Sequence, residues 1–215
     1  MTSCHCCTTG KKFDGRTARH DLRRFRRYGP YQATARLLAA AQQAALPDQA
    51  SLLDIGGGIG AIHHVLLDRG FSRATHVDAS QAYLDAAADE AARLGHADRV
   101  TFVYGDFSTL GAGLAPADLV TLDRVVCCDP DYVGLLGAAA DHARRLLAFT
   151  YPRARWAVRL AIAASNRWRS LVGDPFRVYL HSPAAMRGLL EQRGFRRSWT
   201  GGTWLWAAEL FERAA

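Results

Sequence analysis

Apolar residues follow two rhythms along this chain. Between residues 51 and 151, short apolar runs alternate with stretches whose apolar positions repeat at helical spacing. SLLDI (51–55), ATHVD (74–78), VTFVY (100–104), DLVTLD (118–123) and LLAFTY (146–151) predict five strands. The intervening segments predict helices. One runs from about Ile59 to Asp68 and is closed by Gly70. A second is capped by Ser80 and reaches about Leu94, with Gly95 as its stop, and a third lies around 131–146. Strands separated by helices of this length form βαβ units and hence a parallel sheet.

The flanks differ. Residues 1–18 are polar and irregular and predict a mobile tail. The stretch HDLRRFRRYGP predicts a basic turn of helix from Arg19, broken at Gly29-Pro30. A second helix follows from Tyr31 to about Leu46, ended by Pro47. Beyond the fifth strand come a helical stretch over about 153–172, a Gly173-Asp174-Pro175 turn, and a helix opened by Ser182-Pro183 that ends at Gly194. Two last runs, 195–200 and 203–211, joined by Gly201-Gly202, read as a hairpin. The expected fold is α/β: a doubly wound, Rossmann-like, seven-stranded and mostly parallel sheet with a C-terminal antiparallel hairpin. It forms one domain over 19–215, with a helical lid at 19–50, a core at 51–151, an insert at 152–182 and a terminal helix and hairpin at 183–215.

Composition narrows the class. At 215 residues, 49% hydrophobic and 22% charged, the chain suits one α/β domain and excludes a disordered or fibrous protein. No apolar run approaches the roughly 20 residues that cross a bilayer, so no membrane insertion is expected. MTSCHCCTTGKK has no apolar core of a secretory signal, which predicts a cytoplasmic protein. The net charge of +7 is unevenly spread: +7 over residues 1–36, −9 over 37–143 and +10 over 144–197. A basic arm and a basic C-terminal third around an acidic centre suit an anionic partner, whether nucleic acid, membrane surface or small molecule. The five cysteines, Cys4, Cys6, Cys7, Cys127 and Cys128, form two tight clusters, which points to a reducing compartment rather than a disulfide framework. Cys4-His5-Cys6-Cys7 lacks the spacing of a tetrahedral zinc site, so no metal is expected. Cys127 and Cys128 read as small buried hydrophobes.

The motif that carries chemistry is Asp54-Ile55-Gly56-Gly57-Gly58-Ile59-Gly60, where the first strand passes into a helix. Glycines there allow a tight turn and a close backbone approach to a ligand. Asp78, at the end of the next strand, is placed to accept hydrogen bonds from ribose hydroxyls. Gly56, Gly58 and Ala61 also satisfy the nicotinamide-type spacing. Asp54 argues against that cofactor, because a carboxylate there repels a pyrophosphate but suits the cationic amino end of an amino-acid-like ligand. The terminal hairpin argues the same way.

LLDIGGGIGAIHHVLL, THVDAS, YGDF (104–107) and DLVTLDRVVCCDPD together resemble, in order, the motifs of the class I methyltransferases that use S-adenosylmethionine. The resemblance implies a cofactor site built from Asp54, Gly56, Gly57, Gly58, Gly60, Asp78, Ala79 and Asp123. Asp106 would bond the adenine amino group and Phe107 would flank the ring. It also implies in-line transfer of an already electrophilic methyl group, a step that needs mainly alignment and a dry site. Asp123, Arg124 and His181 are the candidate catalytic groups. Tyr28 and Tyr31 from the lid, with Arg155, Arg177 and Tyr179 from the insert, are the candidate substrate residues. The C-terminal FRVYLHSPAAMRGLLEQRGFRRSWTGGTWLWAAELFER bears a looser resemblance to the magnesium-protoporphyrin O-methyltransferases.

The expected acceptor is a small, anionic or aromatic molecule, because the +10 segment follows the fifth strand and arginine both forks a carboxylate and stacks on rings. Nucleic acid is the weaker expectation. It would use the basic arm, but Asp129-Pro130-Asp131-Tyr132 is poorly suited to a flipped base. A non-catalytic cofactor-binding protein is the third reading.

Overall fold

The computed structural model describes residues 12–214. Its sheet has seven strands in the order β3-β2-β1-β4-β5-β7-β6. They are β1 (Ser51–Ile55), β2 (Arg73–Asp78), β3 (Val100–Tyr104), β4 (Ala117–Leu122), β5 (Ala143–Pro152), β6 (Phe195–Gly202) and β7 (Trp206–Arg213). The first five pair in parallel, and β7 runs antiparallel between β5 and β6. This is the expected doubly wound arrangement.

The helices in chain order are α1 (Gly15–Tyr28), α2 (Gln32–Gln43), α3 (Ala61–Leu67), α4 (Gln81–Leu94), α5 (Phe107–Leu110), α6 (Tyr132–His142), α7 (Trp156–Leu171) and α8 (Pro183–Gln192). Alternation along the strands divides the core between the two faces. On β5, Leu147, Phe149 and Tyr151 turn toward α6 and α8, while Leu146 and Ala148 turn toward α2 and α3. Phe149 stacks on Phe211 of β7 with ring centroids 5.6 Å apart, which locks the hairpin to the parallel sheet.

Three local expectations are corrected. α1 starts at Gly15 rather than Arg19, because Asp14 caps it by accepting from the Arg16 and Thr17 amides. Residues 12–18 are therefore part of the fold. The rest of the expected tail, with Cys4, Cys6 and Cys7, lies outside the described residues. Second, α6 ends at His142 and β5 already begins at Ala143, because pairing with β4 overrides the helical pattern of the alanines. Third, Gly201 and Gly202 pair with Ala208 and Ala207 inside the hairpin, whose turn is Thr203-Trp204-Leu205.

Candidate functional site

β1 delivers the chain into the glycine loop, and three glycines there take positive φ: Gly56 (60°), Gly58 (58°) and Gly60 (82°). That region costs a residue with a Cβ about 1–2 kcal/mol. Space is a second reason, since a Cβ on Gly56 would stand 2.5 Å from Val125 Cγ2. The loop is tied to β2 through the Gly56 amide, which donates to the Val77 carbonyl at 2.7 Å. Asp78 then accepts from the Gly58 amide at 2.9 Å and the Ser80 amide at 2.8 Å. Burial outweighs those two donors and raises the Asp78 carboxyl to about 6.

The loop borders a cavity of about 260 Å³. Of the expected cofactor residues, Asp54, Gly56, Gly57, Gly58, Asp78, Ala79, Asp106, Phe107 and Asp123 all line it. Gly60 does not. It opens α3 in left-handed conformation, and a Cβ there would strike the His63 ring. Asp106 accepts from the Ser108 amide at 3.0 Å and the Ser108 hydroxyl at 2.6 Å, so it caps α5 at the cavity wall. Phe107 is buried and meets His142 edge-on, giving the wall an aromatic surface. These residues fit an adenosyl amino-acid ligand: a glycine cradle that any Cβ would fill, a buried acid at the end of β2 and an aromatic wall after β3.

The candidate catalytic residues part company. Asp123 accepts from the Thr34 hydroxyl at 2.7 Å and the Thr150 hydroxyl at 2.6 Å, and burial raises its pKa. It joins the end of β4 to α2 and β5. Arg124 has a positive φ of 63°, unusual outside glycine, and turns its guanidinium onto the Tyr31 ring at 3.7 Å and the Trp206 ring at 4.7 Å. Arg24 covers the other side of Tyr31 at 3.4 Å. Tyr31 and Arg124 thus stand at the cavity as expected.

His181 does not reach it. Its Nε2 donates to the carbonyls of Val126 and Asp129 at 3.1 and 2.9 Å, and its ring lies against Tyr132, so it fastens a loop. Tyr28 is exposed on α1 beneath Arg27. Tyr179 donates its amide to Cys127 and stacks on His181. Arg177 donates to the Asp174 and Phe176 carbonyls. Arg155 caps α7 with its guanidinium over Trp204. None of these five lines this cavity.

Sequence reasoning missed the lid's real contacts. The Tyr83 hydroxyl donates to Asp21 at 2.6 Å, and Phe13 meets both Tyr83 and Phe176 edge-on at 5.7 Å. The amphipathic pattern of α1 carried that signal but not its partner. Also missed was a second cavity, of about 500 Å³, which shares Phe13, Arg124 and Cys128 with the first. Val158, Ile162, Trp204, Leu205 and Trp206 supply much of its apolar wall. Cys127 is buried as expected, but Cys128 faces both cavities. Among the described residues, no helix is long and apolar enough to cross a membrane.

Residues 52–147 match the family model described as a methyltransferase domain. No curated protein matches the sequence. Among solved structures, the chain is similar to a magnesium protoporphyrin IX methyltransferase from Synechocystis PCC 6803 with bound SAH. The TM-score is 0.74 and the identity 20%, over 98% of this chain and 100% of that one. It is also similar to a methyltransferase from Haloferax volcanii in complex with the Trm112 methyltransferase activator (TM-score 0.72, identity 14%, 96% and 98% covered). A third similar structure is an O-methyltransferase family 2 protein from Planctomyces limnophilus in complex with apigenin (TM-score 0.68, identity 19%, 92% and 62% covered). The matched segment, residues 52–147, is the one that builds the glycine cradle and its acids, and it is similar to a methyltransferase domain.

Proposed function

We propose that the chain is an S-adenosylmethionine-dependent methyltransferase acting on a small, largely apolar molecule with one anionic or polar end, held in the second cavity. The observation that carries this reading is the junction of the two cavities at Arg124 and Cys128. Beyond Arg124, the two cysteines and Ser165, every residue around the second cavity is apolar. Burying a flat hydrocarbon there is favourable at roughly 25 cal/mol per Å². Arg124 supplies one fixed cation at the inner end, and its buried Nε has no hydrogen-bond partner within the protein. A carboxylate or phenolate seated there would point its oxygen at the first cavity.

S-adenosylmethionine supplies an electrophilic sulfonium methyl group, so the protein's task is alignment and exclusion of water. Asp78, Asp106 and the glycine backbone hold the nucleoside and amino-acid parts. Asp123 keeps the Arg124 turn rigid through Thr34 and Thr150. Phe13, Tyr31 and Tyr83 form a lid against solvent. The adjacent free thiols of Cys127 and Cys128 fit a reducing, cytoplasmic setting.

Arg155 and Arg177 of the insert, expected to recognise an acid, make other contacts, and Arg124 is the arginine that borders both cavities. Filling the second cavity with Ile162→Trp should abolish labelling of low-mass, solvent-extractable products from cell extract incubated with radioactive cofactor. It should leave cofactor affinity within about twofold by calorimetry. Label recovered in ribonuclease-sensitive material instead would overturn the small-molecule reading.

A further inference from the structure

Beneath the glycine loop, Asp54 of the cofactor cavity meets two buried imidazoles that do not line that cavity. Asp54 of β1 and His76 of β2 are register partners on adjacent parallel strands, and His63 of α3 closes over them. All three are buried, at 1%, 0% and 0% exposure. His63 Nδ1 lies 3.1 Å from His76 Nδ1 and 3.5 Å from Asp54 Oδ2. One donor atom from each residue falls within 4.8 Å of the other two. Four of the chain's eight histidines gather here, for the His64 and His63 rings touch at 4.2 Å and His64 Nδ1 meets His96 Nδ1 at 3.3 Å.

A hydrogen-bonded core accounts poorly for this cluster. Asp54 Oδ1 accepts from the Thr121 hydroxyl at 2.7 Å, but Oδ2 has no hydrogen-bond partner. Two Nδ1 atoms facing each other can share only one proton. With that proton in place, one Nδ1 and Asp54 Oδ2 still converge as electron-pair donors, and without it three do, which is costly unless a cation sits among them.

We propose that Asp54, His63 and His76 form a binding site for a divalent transition-metal ion of the zinc type. Two imidazoles and a carboxylate are the donor set such ions take. Metal–ligand bonds of about 2.0–2.2 Å at tetrahedral angles put donor atoms about 3.3–3.6 Å apart, close to the 3.1 and 3.5 Å that separate His63 Nδ1 from His76 Nδ1 and Asp54 Oδ2. Gly57 roofs the site, since a Cβ there would stand 2.7 Å from Asp54 Oδ2 and 2.8 Å from His76 Nδ1. The ion would pin β1, β2 and the start of α3 together under the loop that cradles the cofactor. Its role is to stiffen the loop, not to take part in methyl transfer.

The test uses the full chain, stripped with a chelator and titrated with Co²⁺ and then Zn²⁺. One ion per chain should bind, with ligand-field absorption in the visible and without the near-ultraviolet charge-transfer band that thiolate ligands give. A Cys4→Ser/Cys6→Ser/Cys7→Ser variant should bind the ion unchanged. His63→Gln and His76→Gln should each weaken binding at least a hundredfold, and Zn²⁺ should raise the melting temperature of the wild type but not of these variants. Absence of saturable binding to the wild type overturns the proposal. So does binding that disappears with the tail cysteines or shows the thiolate band. The cobalt spectrum of the wild type decides the matter even if a histidine variant fails to fold.

Discussion

Asp78 concentrates the chemistry of the cofactor site in one carboxylate. Its oxygens already accept the Gly58 and Ser80 amides, so the acid both shapes the loop and faces the cavity. If Asp78 binds the ribose as proposed, Asp78→Ala should weaken S-adenosylhomocysteine binding by roughly ten- to a hundredfold, about 1.5–3 kcal/mol, as read by calorimetry. Gly56 tests the loop itself. Gly56→Ala imposes a left-handed φ on a side chain and drives its Cβ toward Val125. Loss of about 1–2 kcal/mol is expected from backbone strain, plus a steric part. A double-mutant cycle with Val125→Ala should recover only the steric part, and full recovery would show that conformation does not matter there. Both roles are legible from glycine spacing and the acid after the second strand. Arg124 is named by its place after the fourth strand, but its stacking is not legible, because Tyr31 and Trp206 reach it only on folding.

Among the elements, α1 is the least predictable and the most consequential for the lid. It is held to α4 by Glu90, which is buried and accepts from Arg26 at 2.6 Å and Arg93 at 2.6 Å. Hydrogen bonding from Arg93, then from Arg26, lowers the Glu90 pKa to about 2. A depressed acid contributes stability that is present above its unfolded value, near 4.5, and is lost as pH falls toward about 2. Because both arginines are about half exposed, the contribution is roughly 1–2 kcal/mol. Glu90→Gln should flatten the acid side of the urea-stability profile between pH 5 and 2, a window set by those two values. An unchanged profile would show that the clamp is screened away. The sequence displays the basic face of α1, but a run of arginines does not name the acid it will meet. The same limit explains the insert: Arg153, Arg169 and Arg177 are absorbed by carbonyls and Asp174, and the +10 segment contributes no arginine to either of the two cavities described.

At the scale of the whole molecule, the hairpin is what completes the sheet. β7 lies between β5 and β6, and Phe211 is fully buried against Phe149. Phe211→Ala should cost about 3–5 kcal/mol, lowering the urea midpoint with an unchanged slope, because the hairpin and the parallel strands share one core. A second transition would mean that the hairpin unfolds separately. The strand–helix alternation, the caps at Ser80 and Gly95, the glycine loop with its acids and the closing hairpin were all determined by the sequence alone. They rest on local periodicity, backbone conformation and residues near one another in the chain. The tertiary structure alone decided which rings Arg124 stacks on and where His181 points. It also decided that α7 and the hairpin wall a second cavity, and that Asp54, His63 and His76 meet beneath the loop. Those outcomes depend on side chains far apart in sequence converging on one point, and periodicity along a chain carries no record of which distant residues share a space.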